Sequence, residues 1–127
     1  MAGRAGEEDV LEFLCALAPE RLQLSARVRR VLLDAEPDLR ERLYPGWQGV
    51  GFHHPEAGYV CAIYPAGERP LLLFEHGAAL EDPDGFLVGD GSQTRSLPLD
   101  LPADELDLRI TEFLELAVAE RLLARKR

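Results

Sequence analysis

Lysine is nearly missing from this chain. Lys126 is the only one among 127 residues, and 23 Asp and Glu outnumber 14 Lys and Arg, for a formal net charge of −9. Phosphate backbones are held by clustered Lys and Arg, so the balance argues against nucleic acid as a partner. A phosphate-binding P-loop, which ends in Gly-Lys-Ser/Thr, has no residue to build it. Cysteine is scarce too. Cys15 and Cys61 stand far apart with no CxxC spacing, which argues against a disulfide framework and leaves two free, buried thiols in a reducing compartment as the expectation. No apolar run approaches the roughly 18 residues of a membrane span, and no cleavable leader opens the sequence, so the expected location is the cytoplasm. The three serines, Ser25, Ser92 and Ser96, fall in no nucleophile elbow and in no Ser/His/Asp order, so the residues point to a non-enzymatic protein.

What is present reads as one domain over residues 1–127, with residues 1–6 lacking periodicity and expected to fray. Glu7-Glu8-Asp9 precedes Val10, Leu11, Phe13, Leu14 and Leu17, which is helical spacing with acids at the positive end of the helix dipole. A second helix is expected over Glu20–Ala35, with Leu24, Val28, Val31, Leu32 and Ala35 inward and Arg21, Arg27, Arg29 and Arg30 largely outward. Pro37 restarts a short helical segment that runs to Tyr44, and Pro45-Gly46 ends it. The period then shifts to alternation. Strands over 50–54, 59–64, 70–76, 86–88 and 94–99, separated by short Pro/Gly turns, make antiparallel neighbours, because parallel ones need long crossovers. Leu71 to Phe74, apolar without a break, is expected to be central and buried on both faces. Pro102 opens a last helix with Leu106, Ile110, Phe113, Leu114 and Ala117 as its buried stripe. The fold class is therefore α+β, with N-terminal helices, an antiparallel β-meander, and a C-terminal helix packed on one sheet face.

Three groups of residues are candidates for chemistry. Gly89-Asp90-Gly91 with Arg95 could cradle an anion, but the chain returns to an extended pattern after it rather than opening a helix, so a tight hairpin with positive φ at Gly89 or Gly91 is the favoured reading. His53 and His54 are adjacent and point to opposite faces of a strand, so they cannot chelate together, and His76 lacks a spaced partner. Glu7, Glu8, Asp9 and Glu12 form an acidic ridge whose oxygens suit a weakly held hard cation; a solvated helix end is the ordinary alternative. Trp47, Tyr44, Tyr59 and Tyr64 gather around the first two strands. They fill core and edge on one reading, and on another line a small-molecule pocket near Trp47, Tyr59 and Arg95.

Trp47, Tyr59-Val-Cys-Ala-Ile63, Phe74-x-x-Gly77-x-x-Leu80-x-Asp82-Pro83 and Leu87-x-Gly89-x-Gly91-x-x-x-Arg95 together resemble the YdhG-like family of domains of unknown function, over about residues 20–122. Ser92 stands where that family usually has lysine, and Ser96 where it often has histidine. The resemblance implies a sandwich similar to frataxin, and for some members an intracellular iron chaperone serving iron–sulfur or haem assembly. It therefore implies a weakly bound ferrous ion. The assignment of such an ion to Glu7, Glu8, Asp9 and Glu12 rests on their oxygen chemistry alone. The partner expected is an unknown protein or a small ligand.

Overall fold

A computed structural model describes residues 6–126; the fraying expected of residues 1–5 lies outside the described residues. The elements run α1 (Glu7–Cys15), α2 (Pro19–Ala35), β1 (Arg40–Tyr44), β2 (Gly49–His54), β3 (Gly58–Tyr64), β4 (Leu71–Phe74), β5 (Arg95–Pro98) and α3 (Ala103–Arg125), with 3-10 turns at Pro45–Trp47 and Gly77–Ala79. The five strands form one sheet in chain order, and every neighbouring pair is antiparallel. This is the expected α+β arrangement of N-terminal helices, antiparallel meander and C-terminal helix.

One face of the sheet carries the core. Val10 and Leu14 from α1, Val28 and Leu32 from α2, and Leu106, Ile110, Phe113 and Leu114 from α3 join Val50, Phe52, Ile63, Leu72, Phe74 and Leu97 of the strands in one buried cluster. Phe74 and Phe113 meet with ring centroids 6.1 Å apart. All five residues expected as the stripe of the last helix are buried. A bulge at Phe52/His53 leaves Val60 as an extra residue in β3, so Val60 and Cys61 both turn inward and are buried.

Helix α2 is tied to its neighbours by arginine. Arg27 meets Asp107 of α3 through two hydrogen bonds of 2.8 Å, and that guanidinium holds the Asp107 carboxyl below the usual range. Arg21 donates to the carbonyls of Pro65, Gly67 and Glu68 and so fixes the β3–β4 turn. Arg29, expected outside, instead turns onto Glu41 in a two-pronged ion pair whose second prong is 2.7 Å. Glu41 is 4% exposed, and Glu7 of α1 approaches the same guanidinium at 3.9 Å.

That pair explains the main departure from the sequence reading. The segment before Tyr44 is not helical; Arg40–Tyr44 is an edge strand paired with β2. Its residues alternate between Glu41, drawn inward to Arg29, and Arg40 and Arg42, which remain exposed. Tertiary partners outweigh the helix propensity of Arg, Glu and Leu here. Other boundaries change as well. β4 lies between β3 and β5, but Leu71 and Leu73 are only half-buried because the helices cover one face alone. Phe86–Val88 is not a strand. Asp82 accepts the N–H groups of Phe86 and Leu87 with its carboxylate, which folds the segment into a loop, and only Val88 bridges to Ser96.

The glycine segment is a wide loop rather than a tight hairpin. Gly89 holds φ +124°, while Gly91 does not take a positive value. Gly77 packs so closely on β5 that a Cβ there would sit 2.7 Å from the backbone nitrogen of Arg95. Gly89→Val is expected to cost about 1 kcal/mol or more in urea denaturation, because a β-branched side chain is strained at that φ. Replacing Arg29 with Met should cost more, about 3–5 kcal/mol, because it leaves the Glu41 carboxylate buried and unpaired; adding Glu41→Met to it should restore most of the loss.

Candidate functional site

The sheet face opposite the helices carries the aromatic residues. Residues paired across strands share a face, so Tyr44 lies with Gly49, and Tyr64 with the same Gly49 from the other side. The glycines of β2 make room for this layer. A Cβ at Gly51 would come within 2.5 Å of the Tyr44 ring, and one at Gly49 within 2.6 Å of the Tyr64 ring. Both rings therefore lie flat over β2 and bury its glycine backbone.

Polar contacts fix the layer. The Tyr44 hydroxyl and His53 Nε2 are 2.8 Å apart, and the His53 ring lies 5.1 Å from that of Tyr59. Tyr59 and Tyr64 lie toward the two ends of β3. Burial pushes both phenols up, with the largest effect at Tyr59, so both stay neutral hydrogen-bonding groups. Burial, and then the nearby Arg42 charge, hold His53 below its ordinary value. The Arg42 guanidinium sits 5.4 Å from the centre of the Tyr44 ring, within cation–π range.

Trp47 stands at the rim of this layer. The turn Pro45–Trp47 is closed by Gln48 in the left-handed region at φ +52°, and it stacks the indole on Tyr44 at 5.7 Å with 24° between the planes. The indole is 69% exposed. An exposed indole anchored on a fixed ring, beside further half-buried rings, is the arrangement by which a protein surface grips a flat apolar group.

The structure brings together some of the residues expected to form a site and separates others. Trp47 and Tyr59 lie on one patch, linked through Tyr44, which is 6.4 Å from Tyr59. Arg95 does not join them. It lies on β5, two strands from β3, and its guanidinium donates to the carbonyls of Gly91 at 2.5 Å and Thr94 at 2.7 Å. Arg95 thus braces the glycine loop from within. The cation beside the aromatic patch is Arg42, which the helical reading of its segment concealed; strand alternation over Arg40–Tyr44 is the signal that would have found it.

The acidic ridge does not converge. Glu8, Asp9 and Glu12 are exposed and Glu7 leans toward Arg29. Among the described residues no three His, Cys, Asp or Glu side chains form a group able to hold a metal ion. His53 and His54 do face opposite ways. His54 Nδ1 accepts the N–H groups of Glu56 and Ala57, and its Nε2 lies 3.3 Å from Glu36, so His54 secures the β2–β3 turn. Cys61 is buried and its thiol is pushed up by that burial, whereas Cys15 is exposed, contrary to the expectation of two buried thiols.

Compared with protein-family models, curated proteins and solved structures, the chain finds no match in any of the three. Among the described residues no helix is long and apolar enough to cross a membrane.

The His53 environment has a pH signature. The folded state disfavours its charged form, so the unfolded chain binds the proton more tightly and stability should fall as pH drops below the ordinary histidine value of about 6.5. NMR titration should place the His53 midpoint below that value, and Arg42→Gln should move it upward.

Proposed function

We propose that this is a binding domain that holds a flat, largely apolar ligand group against the Tyr44, Trp47, His53 and Tyr59 layer on the open face of the sheet. The observation that carries this reading is the indole of Trp47, more than two-thirds exposed yet stacked on a ring that is itself fixed by a hydrogen bond. A surface fixed before binding loses little side-chain freedom when a ligand arrives, which favours affinity. Arg42 adds a cation at the edge of the same layer.

A binding role suits the chemistry of the patch better than a catalytic one. The phenols of Tyr59 and Tyr64 are held protonated by burial, so neither is poised as a base or nucleophile. The acids of α1 offer no converging set for a cation, so the ferrous-iron delivery implied by the likeness to YdhG-like proteins gains no support from their geometry.

Trp47 is the only tryptophan in the chain, so its emission reports on this patch alone. Titration with a panel of flat aromatic probes (indole, naphthoate and adenine) is expected to quench or shift that emission for at least one of them. The same probe should move the NMR signals of residues in β2 and β3. Tyr59→Ala is expected to weaken that probe's binding by roughly tenfold, in line with the loss of one stacking contact. A panel in which every probe leaves the Trp47 signals unchanged would overturn the reading.

A further inference from the structure

Arg42 carries a charge with no counter-ion among the described residues. Its side chain makes no ion pair and no hydrogen bond to any of them, and its contact is with the Tyr44 ring. Arg27, Arg29, Arg69, Arg109 and Arg121, by contrast, each meet a carboxylate. Strand geometry explains the difference. The residue opposite in register is the usual source of a cross-strand partner, and opposite Arg42 is Gly51, which has no side chain. The neighbours on the same face, Arg40 and Tyr44 along β1 and Gly49 and His53 along β2, include no carboxylate. Glu41 turns to the other face and to Arg29. Asp9 and Asp38 line the groove along β1, but neither forms an ion pair with Arg42.

The glycine that leaves Arg42 unpaired is also the floor of the stacking surface. A Cβ at Gly51 would lie 2.5 Å from the Tyr44 ring and 3.4 Å from the Tyr59 ring. The Arg42 guanidinium is 5.4 Å and the Trp47 indole 5.7 Å from the centre of the Tyr44 ring. Indole and guanidinium are therefore no farther apart than those two distances laid end to end, a span that a substituted two-ring aromatic covers. The two ends of the layer differ in charge. Glu75, whose N–H donates to the Val60 carbonyl, brings a negative charge to bear on Tyr59. The charge that acts on His53 is that of Arg42. An anionic group is drawn to the β1 end of the layer and repelled at the β4 end.

We infer, building on the binding reading above, that the ligand of this layer is an aromatic acid whose ring lies against Trp47 and Tyr44 and whose carboxylate is taken by Arg42. A guanidinium offers a carboxylate two parallel N–H donors, which fixes the direction of the bound group as well as its distance. Arg40, exposed on the same face two positions away, adds positive charge at the same end. The pair forms at the surface, so it sorts ligands by charge while the rings supply the stacking contact.

The test titrates the isotopically labelled full chain, followed by NMR, with 2-naphthoate and 2-naphthamide, flat probes of one shape that differ in charge. Naphthoate is expected to shift the Trp47 indole N–H and the Arg42 Nε–H signals together. It should bind about fivefold more tightly than naphthamide at low salt, and high salt should shrink that preference. Arg42→Gln should bring the two affinities together, whereas Arg42→Lys, which keeps the charge but not the fork, should retain part of the preference. Equal binding of the two probes by the unaltered chain would overturn the inference and leave the binding reading standing. Naphthoate binding that spares the Arg42 signal, or a preference that survives Arg42→Gln, would do the same. If neither naphthyl probe binds, the inference falls, and the binding reading falls with it only when indole and adenine also leave Trp47 unchanged.

Discussion

A carboxylate buried without a partner is among the most expensive features a small domain can carry, and in this one the partner comes from a different layer. Glu41 lies on the edge strand and Arg29 on α2, so their ion pair holds the helical layer against the edge of the sheet. The pairing is two-pronged, which fixes orientation as well as distance. Glu7 comes near the same guanidinium from α1. Three elements therefore meet at one arginine, and it draws the Glu41 side of β1 toward the helices. Once Glu41 faces inward, strand alternation obliges Arg40, Arg42 and Tyr44 to face outward.

Everything on the open face follows from that orientation. Tyr44 can lie over Gly51 only because β1 is extended and its even-numbered residues turn away from the helices. The Tyr44 ring in turn provides the surface on which Trp47 stacks, and its hydroxyl fixes His53. Glycine at positions 49 and 51 is needed because the rings occupy the space that side chains would otherwise fill. The sheet thus presents one apolar, helix-covered face and one aromatic face, the usual division of an antiparallel sheet with helices on one side. What distinguishes this sheet is that its second face carries a layer of rings, with Arg40 and Arg42 beside it on the edge strand.

The glycine-rich stretch from Gly77 to Arg95 shows how a motif can be informative about structure without being a site. Gly77 allows the turn after β4 to approach the backbone of β5, Asp82 folds the loop by accepting two N–H groups, and Arg95 closes it by donating to two carbonyls. Each unusual residue in that stretch satisfies backbone groups that have no place in a ladder.

The amino-acid sequence by itself determined the helices α1, α2 and α3, the antiparallel meander and the inward stripe of α3, because these depend on short-range periodicity and on turn residues that act locally. Positive φ in the glycine loop and the opposite orientation of His53 and His54 were legible for the same reason. The tertiary structure alone decided that Arg40–Tyr44 is a strand, since its local preference is helical and the deciding partner, Arg29, lies on another element. It alone separated Arg95 from Trp47 and Tyr59 and set Arg42 beside them. The register of five strands, and not the spacing of residues along the chain, fixes which side chains share a face.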